Sequence, residues 1–231
     1  MRKIAKLTRI AITPRLWQAA CHGVAATVEH DAALEDYSFA TVIDAGANKG
    51  QFAVYALFRW PRARVISFEP LPEPRAKLAR VTGGRAEIHD CALGAETGET
   101  CMHIASRADS SSLLALGKRQ KTIFKMEEVA RLTVSVRRLD GCVGSDLTRP
   151  SLLKIDVQGY ELEMLKGASG LLHAIDAVYV EVSWAELYQG QAMHEEVDAL
   201  LVGTGFKAAG TFNEHRHDGE PIQADILYLR W

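Results

Sequence analysis

Little in this chain points to a membrane, an oxidising compartment or a polyanion. Its 231 residues hold only four cysteines, Cys21, Cys91, Cys101 and Cys142, and no two form a Cys-x-x-Cys pair. Zinc ribbons and disulfide frameworks are therefore unsupported, and idle or buried thiols in a reducing, cytoplasmic setting are the expectation. No apolar run approaches the roughly 20 residues that span a bilayer. No charge dominates either: 27 basic against 29 acidic residues give a formal net charge of -2. A general nucleic-acid binder is excluded on that balance. His215, His217 and Asp218 have only a weak metal-like spacing, and no metal site is expected.

The amino terminus is the exception to this even charge. Arg2, Lys3, Lys6, Arg9 and Arg15 precede the first acid, Glu29. They interrupt the apolar core that a signal peptide needs. Ile4, Leu7, Ile10 and Ala11 fall at helical spacing before Pro14. Such a basic amphipathic helix can make weak contact with a membrane surface or a partner. A helix packed on the domain is the commoner outcome. The length suits one domain, so residues 1–35 are read as an N-terminal helical extension and 36–231 as the functional domain.

From Thr41 onward, strands and helices alternate. Strands are expected at Thr41–Ala45, Arg64–Phe68, Ala86–Ala92, Leu152–Val157 and Val178–Val182. Helices are expected at 48–59, with Asn48 and Gln51 as a capping box, and at Glu73–Val81, Glu161–Leu172 and His194–Val202. Thr100–Ala105 and Leu132–Arg137 interrupt the alternation as a small inserted β-hairpin. The stretch between them, with Ser110 to Ser112 and the basic Lys118 to Lys125, reads as loop with some helix. Phe206–Thr211 and Ile226–Trp231 close the chain as an antiparallel pair around a polar loop, Asn213 to Gln223. This is an α/β, Rossmann-like pattern with a mostly parallel sheet.

Its first βα turn carries the chemistry. Asp44-Ala-Gly46-Ala-Asn48-Lys-Gly50-Gln51 follows the first strand, and Glu69-Pro70 ends the second. Gly46 and Gly50 would let backbone approach a ligand. Asp44 would accept from an α-ammonium group, while amides at the helix start near Asn48 to Gln51 suit a carboxylate. One amino-acid moiety offers both groups. Glu69 would hold a ribose diol, and Asp90-Cys91-Ala92 would border an adenine, with Asp90 reading its amine. No Gly-x-Gly-x-x-Gly is present, Asp44 would repel a pyrophosphate, and no Tyr-x-x-x-Lys pair serves hydride chemistry. S-adenosylmethionine is thus favoured over NAD. The alternatives are an NAD-dependent oxidoreductase and a non-catalytic S-adenosylmethionine-binding scaffold.

Lys154 and Asp156 share one face of a strand, and Glu181 ends another. They are candidates for handling an acceptor hydroxyl, with Asp156 as base. The competing reading is a buried ion pair that fixes strand ends. His103, His194, His215 and His217 are weaker candidate bases. Asp140 reads as a helix cap, and Ser112, in the run Ser110 to Ser112, borders the cofactor's sulfur side or the acceptor pocket, or is plain loop.

Taken in order, these segments resemble the FkbM family of S-adenosylmethionine-dependent methyltransferases. The resemblance rests on Val42 to Phe52, Phe68-Glu-Pro70, Ala92-Leu-Gly94, Ser111-Ser-Leu113, Leu139-Asp140, Leu153 to Glu161, Leu165-Lys-Gly167, Glu181-Val182 and Gly205-Phe206. It implies the class I methyltransferase fold, a seven-stranded sheet whose last strand alone is antiparallel. It also implies O-methylation, in many members of sugars, polyketides or other secondary metabolites. The acceptor would be a small molecule or a glycan.

Overall fold

Alternation of apolar residues along the parallel strands builds a seven-stranded sheet with two unlike faces. We describe residues 10–230 of a computed structural model. Strand order is β3-β2-β1-β7-β8-β10-β9, where β1 is Thr41–Ala45, β2 Arg64–Phe68, β3 Ala86–His89, β7 Ser151–Ile155, β8 Ala177–Ser183, β9 Lys207–His217 and β10 Glu220–Leu229. Only β10 runs against its neighbours β8 and β9. That is the class I methyltransferase topology.

Ile43, Ala45, Leu153, Ile155, Val178 and Val180 face one way, into a core shared with the helices Glu161–Lys166 and His194–Gly203. Val42, Leu152, Ala177 and Tyr179 face the other, against the helices Pro14–Cys21, Gln51–Arg59 and Pro72–Thr82. Helices on both faces of a parallel sheet bury its strands completely. Ile10, Leu16 and Ala19 belong to the second core, so the helix after Pro14 packs on the sheet. Arg2, Lys3, Lys6 and Arg9, and with them the basic amphipathic reading, lie outside the described residues. No described helix is long and apolar enough to cross a membrane.

Several elements differ from expectation. The third strand stops at His89; Ala92–Leu93 forms a separate β4 that pairs with Val136 and Arg137. The inserted hairpin, β5 (Gly98–Ala105) and β6 (Glu128–Arg137), thereby becomes a three-stranded sheet of order β4-β6-β5. The expected polar loop 213–223 is mostly strand. Its turn is only Asp218-Gly219, at φ 52° and 85°, a two-residue reversal that matches strand twist and that an Asp-Gly pair favours. The helix expected from Glu161 to Leu172 ends at Lys166. A β-carbon on Gly167 would fall 2.0 Å from the Gly94 carbonyl oxygen, so close chain approach is what needs glycine there.

The capping box is absent. Asn48 takes a left-handed conformation at φ 47°, and the helix begins at Gln51 after Gly50, without a side-chain cap. Asp140 makes no N-cap bond either. It pairs with Arg138 and accepts the Gly170 N–H at 3.0 Å, tying two loops together.

Candidate active site

The carboxyl ends of β2, β1 and β7 open into a cavity of about 240 Å³. Glu69, Pro70, Leu71, Cys91 and Ala92 wall its β2 side; Thr27, His30, Gln51, Phe52, Lys154 and Asp156 wall the other. Met102 of β5, with Ser111 and Leu113, adds a further wall from the inserted region.

Glu69 ends β2 and is 5% exposed. Its Oε2 accepts the Asn48 N–H and its Oε1 the Leu71 N–H, each at 2.8 Å. Burial pushes its carboxyl up to about 7 against the pull of those two N–H groups. Each oxygen keeps a lone pair, so a diol can still donate to both. Burial also pushes the Cys91 thiol up to about 12, which makes it a wall residue and not a nucleophile.

Buried polar atoms without a hydrogen bond include three on the wall of this cavity. Among the described residues, the buried side-chain atoms lacking a hydrogen bond are Thr27 Oγ1, Asn48 Oδ1, Gln51 Oε1, both Asp44 oxygens and Ser67 Oγ. Thr27, Asn48 and Gln51 all line the cavity. Leaving such groups desolvated and unpaired costs about 1–3 kcal/mol each. A ligand carrying an ammonium and a carboxylate would satisfy them, and the amino-acid end of S-adenosylmethionine has both. The residues present therefore fit that group.

Asp44 is not on the wall. It is fully buried beneath Lys154, whose Nζ lies 3.3 Å from Asp44 Oδ1 and 3.5 Å from Asp156 Oδ2. Adjacent register places Asp44 beside Lys154 on neighbouring strands. Burial opposes the Lys154 ammonium, but Asp44 and then Asp156 outweigh it and hold its pKa above the ordinary value. Asp44 thus neutralises a lysine and does not face the cavity.

The glycines also serve the fold more than the ligand. A β-carbon on Gly46 would meet the Asp156 carbonyl oxygen at 1.8 Å, and one on Gly50 would meet Leu78 Cδ1 at 2.8 Å. Both have positive φ, 79° and 92°. Gly46 lets the loops after β1 and β7 cross; Gly50 lets a helix pack. Gly46 lines the cavity, whereas Gly50 does not.

Lys154, Asp156 and Glu181 come together through a residue that sequence reasoning passed over. Gln158 Nε2 donates to Asp156 Oδ1 at 2.6 Å and to Glu181 Oε2 at 3.1 Å. Its Oε1 accepts from the Tyr188 hydroxyl at 2.6 Å. The amide's orientation follows from these partners, since its oxygen cannot face two carboxylates. The backbone of Gln158 is left-handed, φ 56°, and its carbonyl accepts from Ser112 Oγ at 2.6 Å. Glu161 secures the same loop by accepting the N–H groups of Val157 and Gly159, at 3.3 and 3.0 Å. Burial raises its carboxyl to about 7. Burial, then Asp156, Asp225 and Glu161, hold the Glu181 carboxyl well above the carboxylate range.

The remaining expected site residues divide as follows. Asn48, Gln51, Glu69, Pro70, Cys91, Ala92, Lys154 and Asp156 line the cavity; Asp90, Ser112 and Glu181 do not. Asp90 is exposed, because the chain breaks away from β3 there to reach β6. Ser112 turns behind the wall to Gln158, and its neighbour Ser111 lines the cavity instead. Among histidines, His217 pairs with Asp218 away from the cavity, His103 pairs with Glu128, His194 stacks on Trp184 and His215 lies against Phe124. None of the four lines the cavity, whereas His30 does. Lys118, Arg119, Lys121 and Lys125 are exposed and away from it. No group of three side chains suited to a metal ion occurs among the described residues.

A class I methyltransferase sheet with a cavity fitted to an amino-acid end and a ribose defines the class of protein. The chain belongs to the FkbM methyltransferase family, whose domain model matches residues 44–210. It is similar to Methyltransferase 1 of Beauveria bassiana, 29% identical over 187 residues that cover 73% of this chain and 72% of that one. It is similar also to the 31-O-demethyl-FK506 methyltransferase FkbM of Streptomyces tacrolimicus, 29% identical over 195 residues, covering 71% and 72%. The 2-O-methyltransferase NoeI of Sinorhizobium fredii is 28% identical over 160 residues, covering 65% and 66%. The protein is a methyltransferase, and its cofactor is S-adenosylmethionine.

Proposed function

We propose that this enzyme methylates a hydroxyl oxygen of a glycan or small secondary metabolite, with residues 36–231 as the methyltransferase domain. The observation that carries the reading is Asp156. Its side chain is 38% exposed on the cavity wall, while Asp44, behind Lys154, is wholly enclosed. A hydroxyl acceptor must lose a proton, and a reachable carboxylate can take it. The names of two relatives, a 2-O-methyltransferase and a 31-O-demethyl-FK506 methyltransferase, support oxygen as the accepting atom.

S-adenosylmethionine supplies an electrophilic methyl group on a sulfonium. Glu69 would hold its ribose diol, Asn48 and Gln51 would take its α-ammonium, and Cys91 and Ala92 would border its adenine. Lys154, fixed by Asp44, keeps one oxygen of Asp156 oriented, and Gln158 fixes the other. Asp156 is thereby placed to receive the proton of an acceptor hydroxyl. Glu181 acts behind Gln158 and touches no substrate. Positioning an acceptor oxygen against a bound methyl donor could supply about 7–11 kcal/mol of the barrier.

The test is transfer of labelled methyl from S-adenosylmethionine to a panel of matched hydroxyl and amine acceptors, neutral glycosides included. Hydroxyl acceptors are expected to be labelled. In Asp156→Asn, turnover should fall by about 10²–10⁴ with S-adenosylhomocysteine affinity retained. Full turnover in that variant removes Asp156 as the base. Cofactor binding without transfer to any acceptor favours a scaffold.

A further inference from the structure

The family match begins at residue 44, yet part of the cavity wall comes from earlier in the chain. Thr27 and His30, on the segment leading into and forming the turn Val28–His30, both line the cavity. The segment is held in two places. The Thr27 N–H reaches the Gln51 carbonyl at 3.4 Å, at the first turn of the helix that borders the cavity. His30 is held against β8 and β10: its Nδ1 lies 3.1 Å from the Tyr179 hydroxyl and 3.7 Å from Asp225 Oδ2. Its ring also packs edge-on against Phe52, 5.4 Å between centroids.

That anchoring presents a hydroxyl with nothing to bind. Thr27 Oγ1 is buried and has no hydrogen-bond partner, and the orphaned acceptors Asn48 Oδ1 and Gln51 Oε1 line the same cavity. A hydroxyl differs from those two acceptors in being able to donate, and a carboxylate can only accept. We propose that Thr27 is a binding residue for the carboxylate of the cofactor's amino-acid end, so that the segment before the methyltransferase domain completes the cofactor site. His30 is the latch that sets Thr27 in place and is a positioning residue. The inference rests on the reading that this cavity holds S-adenosylmethionine.

Two probes separate the amino-acid end from the nucleoside: S-adenosylhomocysteine, and 5′-methylthioadenosine, which lacks the amino-acid carbons. Calorimetry on the full chain compares wild type, Thr27→Val and Thr27→Ser. In Thr27→Val, affinity for S-adenosylhomocysteine should fall about tenfold, as for a lost bond to a charged group. Affinity for methylthioadenosine should stay within about twofold, and Thr27→Ser should recover most of the loss. The melting temperature of ligand-free Thr27→Val should equal or exceed that of wild type, because an unpaired buried hydroxyl has been removed. A purely structural threonine would give the opposite sign.

Unchanged S-adenosylhomocysteine affinity in Thr27→Val overturns the proposal, as does an equal loss for both probes or a lowered ligand-free melting temperature. Wild type that binds neither probe overturns the cofactor reading itself, whatever the variants do.

Discussion

The two faces of the central sheet are made from the same strands and behave as different materials. One carries Ile43, Ala45, Leu153, Ile155, Val178 and Val180 into a dry core. The other, at the carboxyl end of adjoining strands, brings Asp44, Lys154, Asp156, Glu181 and Asp225 together. A shift of one residue separates the two sets, since side chains alternate along a strand. The apolar face can be described by burial alone. The charged end of the second face has to balance charges that are removed from water, and it does so with one lysine, amide side chains and an opening to the cavity.

The sharpest way to break this contrast is to remove the one lysine. Lys154→Met should cost about 3–5 kcal/mol of stability in urea unfolding, because Asp44 would be left buried and unpaired. Adding Asp44→Asn should restore much of it. A cost below about 1 kcal/mol would mean that the charges are not confined as described.

On the other face, Leu153→Ala should cost about 2–5 kcal/mol by opening a cavity. It should leave S-adenosylhomocysteine affinity within about threefold of wild type, since Leu153 itself does not line the cavity. Loss of affinity there would show the two faces to be coupled.

A more graded effect is expected with pH. Glu69 and Glu161 have ordinary values of 4.5 and folded values of about 7. Between those limits the folded ligand-free chain keeps protons that the unfolded chain has released. Stability from these groups is therefore full below about pH 4.5 and is lost as pH rises through 7, by at most about 1.4 kcal/mol per pH unit for each. A ribose that donates to ionised Glu69 should make S-adenosylhomocysteine bind more tightly over the same rise. A flat melting profile from pH 5 to 8 would remove the burial argument for both.

Much of the site could be read before the fold was known. Glu69 stands where an acid ends the second strand, and Lys154 and Asp156 stand two apart on another. Both patterns are local, so the alternation that makes the strand also places the side chain. Asp44 shows where this reasoning stops. Its strand-end position was legible, but its isolation from the cavity depends on which residue of β7 lies opposite, and that residue is Lys154. Gln158 was invisible for a related reason. Its role needs Tyr188 and Glu181, 30 and 23 residues away, and no spacing rule connects them. The Asp218-Gly219 turn, by contrast, carried a clear hairpin signal that the polarity of its flanks concealed.

By itself, the sequence determined the succession of strands and helices, the acids and turns at the strand ends, and the family. These follow from periodicity and from backbone preferences acting over a few residues. Tertiary structure alone decided which carboxylate is open and which is locked to a lysine, which glycines serve packing, and that Thr27 and His30 reach the cavity. Each of those depends on register and on contacts between distant segments, where desolvation decides which charge stays buried with a partner and which polar atom is left for a ligand.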